Sequence, residues 1–418
     1  MAEMPTDFWW GSSLGSTHGE GAAPGSDWAR WESLGRAPHS RLGNGFATNY
    51  REDFQAVAEH GLRHVRLTLD WARLEPTDGK HDQQTIEHYR TMLSEARAVG
   101  IEPWICLHDI ALPGWFSDDV GGFLDDRALG VYWPRHVEFV GETFGDLAAG
   151  WMPVNQPVAY SVGAFLSGQN PPGRTSMKDL LDGLRAMLLA TFDAARRLQS
   201  GSIPRATAMN LCPLIARAGL SDDPAATASA REWADVIDHV MWRSWLSIIN
   251  RGVLTLPGRA DEDVSWGADV FDVVGFSPGP ASTVDEHSVV ASGLTDQMRA
   301  SPDDVDWNET PQADGMDQVL ERLADGLGAK RFLISDFGVG TLPSDRHGDD
   351  RRCREMERAA DIVNRHVADG VDVVGLFWTH AVDGYEWHSG DNLESGLFDR
   401  QRRPRRSADL ARELASEA

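Results

Sequence analysis

Carboxylates and histidines gather at the ends of the chain's short apolar runs, where their chemistry could be used together. In chain order those ends carry His18 and Glu20, Arg66 and Trp71, His108 and Asp109, Asn155 and Gln156, Asn210, Ser277, Asp336, and then Trp378, His380, Glu386 and Trp387. Carboxylates in such a set can attack an electrophilic carbon or hold and release a proton. Imidazoles exchange a proton near neutral pH, arginine fixes anionic groups through paired N–H donors, and tryptophan offers a flat apolar face. Taken singly, each residue has a plainer role. Asp336 could cap a helix, Gln156 could fill space as an amide, and the histidines could be loop residues with ordinary partners. Converging from separate segments, they point instead to a pocket for a polar ligand.

Convergence needs a scaffold that brings many strand ends to one place. Apolar runs of strand length occur at Phe8 to Gly11, His64 to Trp71, Pro103 to His108, Trp151 to Asn155, Ala206 to Leu214, Val270 to Phe276, Phe332 to Ser335 and Val373 to Trp378. Helical spacing fills the stretches between and after them, at Asn49 to His60, Gln84 to Val99, Trp133 to Leu147, Met177 to Leu198, Ala228 to Ile249, Met316 to Leu327, Arg352 to Val367 and Ser407 to Leu414. Eight strands alternating with helices predict the α/β class and a (β/α)8 TIM barrel, whose functional residues lie at the strand ends. The order alone leaves an open doubly wound sheet as the other topology. No Gly-x-Gly-x-x-Gly follows the first strand and no Gly-x-x-x-x-Gly-Lys is present, which counts against nucleotide binding. The whole chain, 1–418, is expected to form one domain, with an elaborated acidic loop over 279–312.

Composition narrows the partners. With 64 acidic against 39 basic residues the formal charge is -25, which argues against nucleic acid and anionic membrane surfaces. Sixteen tryptophans suit both barrel packing and ring stacking, with core filling the plainer role for any one of them. Cys106, Cys212 and Cys353 have no paired spacing, so neither a disulfide frame nor a structural metal is expected. No metal or other cofactor is expected. The N-terminal residues have neither the basic start nor the apolar run of a secretory signal, and no apolar stretch reaches the length of a membrane span. A soluble, cytoplasmic protein is the expectation.

The order of the motifs carries a resemblance. From Phe8-Trp9-Trp10-Gly11 to Arg402-Arg403-Pro404 the chain resembles glycoside hydrolase family 1, the β-glucosidase and β-galactosidase family. Gly19-Glu20-Gly21-Ala22 is similar to the end of its first-strand motif, and Arg66 to Pro76 matches its R-x-S-x-x-W-x-R-x-x-P element. Leu107-His108-Asp109-Ile110-Ala111-Leu112-Pro113 resembles L-x-H-W/F-x-L-P, Gly121-Gly122-Phe123 follows in place, and Glu386-Trp387 resembles the pair that holds the outer sugar hydroxyls. The resemblance implies a TIM barrel and a small-molecule glycoside or sugar-like ligand. It also implies a tendency of such barrels to associate, so a homo-oligomer is expected on that ground alone.

The departures from the family pattern bear on chemistry. Retaining hydrolysis uses one carboxyl to protonate the leaving oxygen and another, about 5 Å away, to attack the anomeric carbon. Where the family has Asn-Glu-Pro this chain has Asn155-Gln156-Pro157, and where the family has Thr-Glu-Asn/His-Gly it has Ser335-Asp336-Phe337-Gly338. The acid/base position is thus an amide, and the nucleophile position holds a carboxylate shorter by one methylene. A sugar-binding glutamine has become His18 and a sugar-binding histidine Asp109, while Ser277-Pro278-Gly279 stands for Asn-Tyr-Tyr. The segment from Trp378 through His380 to Gly384 is one residue longer than its Trp-Ser-Leu-x-Asp-Asn counterpart. On the resemblance, Asp336, Gln156 and Asp109 are the candidate catalytic positions. His18, Arg66, His108, Asn155, Ser277, Trp378, His380, Glu386 and Trp387 are the candidate binding positions. Losing a general acid costs ~10²–10⁴ in rate, so ordinary glycosides should be poor substrates. Three readings remain open: an atypical glycosidase or transglycosidase, a barrel repurposed for another reaction on a polar small molecule, and a non-catalytic pseudo-glycosidase that binds a carbohydrate-like ligand.

Overall fold

Strands rich in Val, Ile, Leu and Trp on both faces are stable only where both faces are covered, and eight such segments build one parallel sheet. The computed structural model describes residues 4–199, 201–216, 224–285 and 312–416. In chain order the strands are β1 (Trp9–Leu14), β2 (His64–Thr68), β3 (Glu102–Cys106), β4 (Gly150–Trp151), β5 (Met209–Leu211), β6 (Val273–Pro278), β7 (Arg331–Phe337) and β8 (Val373–Trp378). Their order across the sheet is β4-β3-β2-β1-β8-β7-β6-β5, all neighbours parallel. The two edges meet. A parallel bridge joins Trp151 to Arg205, through Trp151 N–H to the Pro204 carbonyl at 2.9 Å and Ala206 N–H to the Trp151 carbonyl at 2.8 Å. That contact closes the sheet into a barrel and removes the open doubly wound alternative.

The helices that cover the barrel include α1 (Phe46–Glu59), α2 (Gln83–Ala98), α3 (Trp133–Phe144), α4 (Met177–Arg197), α5 (Pro224–Asp238), α6 (Gln312–Leu327), α7 (Gly348–Ala368) and α8 (Arg406–Ser416). The main apolar core lies between helices and strands. A second cluster of Trp104, Met152, Ala206, Ala208, Val273, Leu333, Val374 and Phe377 contains no helix residue, as side chains that fill a barrel from within should not. No described helix is long and apolar enough to cross a membrane.

Several element bounds differ from the sequence expectation for local reasons. The second strand stops at Thr68, because Asp70 accepts from Arg73 N–H at 3.2 Å and caps a short helix, Trp71–Leu74. The third stops at Cys106 and the fourth is regular only over Gly150–Trp151, although His108 and Val154 still form a parallel bridge. The helix expected at Ala228 to Ile249 is interrupted by a π turn, His239–Arg243, and resumes at Ser244–Arg251. Of the loop expected over 279–312, residues 286–311 lie outside the described residues.

The loops above the strand ends are tied to one another by polar contacts. Ser26 caps the helix Asp27–Ser33 by accepting from Ala29 N–H at 3.1 Å. Asp27 then pairs twice with Leu112: its N–H donates to the Leu112 carbonyl and its Oδ1 accepts from Leu112 N–H, both at 2.9 Å. Burial pushes the Asp27 carboxyl up to about 7, against the pull of that N–H. The folded chain therefore keeps a proton there that the unfolded chain releases near the ordinary carboxylate value. Stability from this group is complete below about pH 4 and is lost as pH rises through about 7, at up to roughly 1.4 kcal/mol per pH unit. Asp27→Asn keeps the acceptor without the titration. Its urea midpoint relative to the natural chain is expected to be higher at pH 8 than at pH 5, a difference set by this linkage.

Candidate active site

The strand ends open on a cavity of about 260 Å³. At its centre, Arg66 from β2 donates through Nη1 to Asn155 Oδ1 at 2.7 Å and to Asp336 Oδ2. Asn155 passes the chain on, donating through Nδ2 to Asp109 Oδ1 at 3.1 Å. Asp336, near the end of β7, also accepts from the Thr379 hydroxyl through Oδ1, so both of its oxygens are engaged. Gly338 makes this meeting of two strand ends possible, since a Cβ there would sit 1.8 Å from the Thr379 carbonyl oxygen.

Burial governs the charges of this group. Arg66 is disfavoured as a cation by burial, but Asp336 and Asp109 outweigh that and hold it protonated above its ordinary value. Burial raises the Asp109 carboxyl, only partly countered by Arg66 and Asn155, so it keeps its proton to higher pH than an exposed aspartate. Arg66 and Asp336 are each about 5% exposed. Removing one partner strands a buried charge, which costs on the order of 3–5 kcal/mol. Arg66→Met is therefore expected to lower folding stability by about that amount, read as a lower urea midpoint, and to weaken any ligand held near Asp336.

Gln156 follows β4 with φ 48°, in the left-handed region that a non-glycine residue seldom occupies. Its N–H donates to the Ala208 carbonyl at 2.8 Å, and its Nε2 lies 3.4 Å from Ser277 Oγ. The left-handed residue leads into the helix Pro157–Ser161, and its side chain lines the cavity beside Ser277.

On another side of the cavity, the rings of His18 and His380 stack with centroids 3.8 Å apart. Glu386 lies against both, with its Oε1 3.7 Å from His18 Nδ1 and 3.4 Å from His380 Nδ1, and it accepts from Ser395 Oγ at 2.7 Å. Burial alone would raise Glu386, but His380, His18 and Ser395 outweigh it and hold the carboxyl at about 2. Burial, helped by the neighbouring His380, pushes His18 down to about 4. Trp387 lines the cavity edge-on to Trp28, ring centroids 4.6 Å apart.

The cavity thus gathers Asp336, Gln156, Asp109, His18, Arg66, Asn155, Ser277, His380, Glu386 and Trp387. Two candidate binding residues lie outside its lining. His108 is buried with its ring edge-on to Tyr160, centroids 4.8 Å apart, and burial pushes it down to about 3. Trp378 stacks on Trp10 at 6.1 Å and meets Phe337 edge-on. Both point into packing because side chains near a strand end alternate between faces. Three other strand-end residues also prove structural. Glu20 accepts from the Tyr89 hydroxyl at 2.9 Å, Trp71 donates to Glu75 Oε2 at 2.8 Å, and Asn210 accepts from Ala159 N–H at 3.1 Å. The sequence reading missed Thr379 and Ser395, which bind Asp336 and Glu386. Thr379 follows Trp378 directly and could have been found by asking what partners a buried carboxylate needs. Ser395 carries no local signal.

Comparison with known proteins bears on the family and the fold. The model described as glycosyl hydrolase family 1 matches residues 1–252, a span that holds His18, Arg66, Asp109, Asn155 and Gln156 and ends before Asp336 and Glu386. "Probable inactive beta-glucosidase 25" of Arabidopsis thaliana is 30% identical over 459 residues, covering 94% of this chain and 85% of that protein. Among solved structures, a β-glycosidase from Pyrococcus horikoshii superposes with a TM-score of 0.82 at 23% identity, covering 99% of this chain and 95% of that one. A family 1 β-glucosidase from Thermotoga maritima in complex with isofagomine lactam gives 0.85 at 17% identity, covering 100% and 99%. The closed barrel, the strand-end cavity and these matches along the chain agree: the protein belongs to glycosyl hydrolase family 1.

Proposed function

We propose that the cavity binds a β-linked glycoside or a related sugar-like molecule and that Asp336 acts at the anomeric carbon, either as nucleophile or as the charge that stabilises an oxocarbenium ion. The observation that carries this reading is a carboxylate in the strand-end cavity, gripped by a buried arginine. Gln156 cannot protonate a leaving oxygen, so turnover favours substrates whose leaving group departs as a stable anion. Asp109, raised by burial and joined to the same network through Asn155, is the nearby carboxyl best suited to lend a proton.

A second reading, binding without turnover, has its own support. Both oxygens of Asp336 already accept hydrogen bonds, which lowers a nucleophile's reactivity, and the relative at 30% identity is itself named as inactive. Single-turnover hydrolysis of aryl β-glucosides and β-galactosides with leaving groups of graded acidity separates the two. Under the catalytic reading the rate climbs steeply with leaving-group acidity. A flat dependence would mean catalysis in which Asp109 lends the proton that Gln156 cannot, and silence even with the dinitrophenyl substrates would favour binding alone.

A further inference from the structure

The cluster of His18, His380 and Glu386 has an arrangement that sugar binding does not require. Two imidazole nitrogens approach the same carboxylate oxygen at 3.7 and 3.4 Å, and one donor atom from each of the three residues lies within 4.8 Å of the others. A tetrahedral ion with bonds of about 2.0–2.1 Å sets its ligand atoms roughly 3.3–3.4 Å apart, close to the two nitrogen–carboxylate distances, while the two imidazoles stand further from each other.

A second observation is independent of that spacing. His18 Nε2 lies 2.9 Å from the Val382 carbonyl oxygen and Nδ1 lies 3.0 Å from the Tyr385 carbonyl oxygen. A neutral imidazole has one N–H and one lone pair, so one of these contacts sets a lone pair against an oxygen. With Nε2–H donating to Val382, the Nδ1 lone pair faces both Tyr385 O and Glu386 Oε1, and a cation seated among them turns every contact favourable. A backbone carbonyl holding the far nitrogen is also how proteins orient a metal-binding histidine.

From this geometry we propose that His18, His380 and Glu386 bind one divalent transition-metal ion of the zinc class at the wall of the cavity. Two imidazoles and a carboxylate are the borderline nitrogen and oxygen donors that Zn²⁺ takes. Nearly parallel rings cannot both aim at one point, so His380 must turn out of its stack with His18. That motion releases its contact with Ser395 Oγ at 3.0 Å, while Ser395 stays on Glu386 as an outer partner. Three protein ligands leave a position for water or for an oxygen of the cavity's ligand. The proposal goes beyond the glycoside reading and does not depend on it, since an ion binds whether or not a sugar is cleaved.

The test uses the full chain, stripped with a chelator and then titrated with Zn²⁺ or Co²⁺ alone, with metal content, calorimetry and the visible Co²⁺ spectrum as readouts. One ion per chain is expected, with an intense four-coordinate Co²⁺ band. His380→Ala and Glu386→Gln should each weaken binding by more than the ~10–100-fold that loss of an outer partner costs, and Ser395→Ala by no more than that. His18→Gln, which keeps a donor for Val382, should abolish the Co²⁺ band while leaving the fold intact by circular dichroism. Failure of the natural chain to take up a stoichiometric ion overturns the proposal. So does uptake unchanged in His18→Gln and His380→Ala, or ¹⁵N shifts showing both His18 nitrogens protonated in saturating Zn²⁺, which would mean that a proton fills the place assigned to the ion.

Discussion

Asp336→Asn is expected to eliminate the burst of dinitrophenol from dinitrophenyl β-glycosides, with a fall in the single-turnover rate on the order of 10³-fold or more. The substitution keeps the shape and the Thr379 contact but replaces an anion by a neutral amide. It removes both the attack on carbon and the electrostatic support of a positive anomeric centre. Activated leaving groups make this a clean measurement, because they need no proton donor and so bypass Gln156. Stability has to be followed alongside, since the amide leaves Arg66 without its buried counter-charge and costs several kcal/mol on the order of 3–5. A folded Asp336→Asn protein that releases dinitrophenol as fast as the natural chain would remove Asp336 from the chemistry.

The complementary gain is expected from Gln156→Glu. The side chain keeps its length, the backbone remains anchored by Ala208, and the Ser277 hydroxyl 3.4 Å away can serve the new carboxylate as a donor. A restored general acid should raise hydrolysis of alkyl and weakly activated aryl glycosides by ~10²–10⁴-fold, with far less effect on dinitrophenyl substrates. The rate should also acquire a new descending limb at high pH, where the glutamic acid loses its proton. A gain below about tenfold in a folded protein would locate the limiting step at Asp336, whose carboxylate reaches less far than a glutamate's would, by a distance to which near-attack geometry is sensitive. Asp336→Glu added to Gln156→Glu would then be required before hydrolysis rises.

Both variants probe positions that the sequence singled out and that line the cavity, and the reason lies in strand-end chemistry. Asn155-Gln156-Pro157 and Ser335-Asp336 stand at the ends of apolar runs too short for helices and too apolar for an exposed sheet edge, so their polar residues had to emerge at one mouth of a barrel. Arg66 was legible from its place in the apolar run His64 to Trp71, and Asp336 supplies its anion. The partners of the site were much less legible. Thr379 and Ser395 hold the two carboxylates Asp336 and Glu386, yet a hydroxyl in a loop looks alike whether it faces water or a buried anion.

The sequence by itself determined the alternation of eight apolar strands with amphipathic helices, the family motifs in their order, and the amide and the short acid that Gln156 and Asp336 place at two strand ends, because these depend only on residue type and spacing. The tertiary structure alone decided which strand-end side chains face the cavity. His108 and Asp109 are neighbours in the chain, and one is packed against Tyr160 while the other joins Asn155 and Arg66. Successive side chains near a strand end point to opposite faces, so a shift of one residue in where the strand stops exchanges core for cavity. The stacking of His18 on His380 beside Glu386 was likewise a tertiary decision. It depends on how the loop after β1 packs against the loop after β8, and long-range loop packing leaves no periodic trace in the chain.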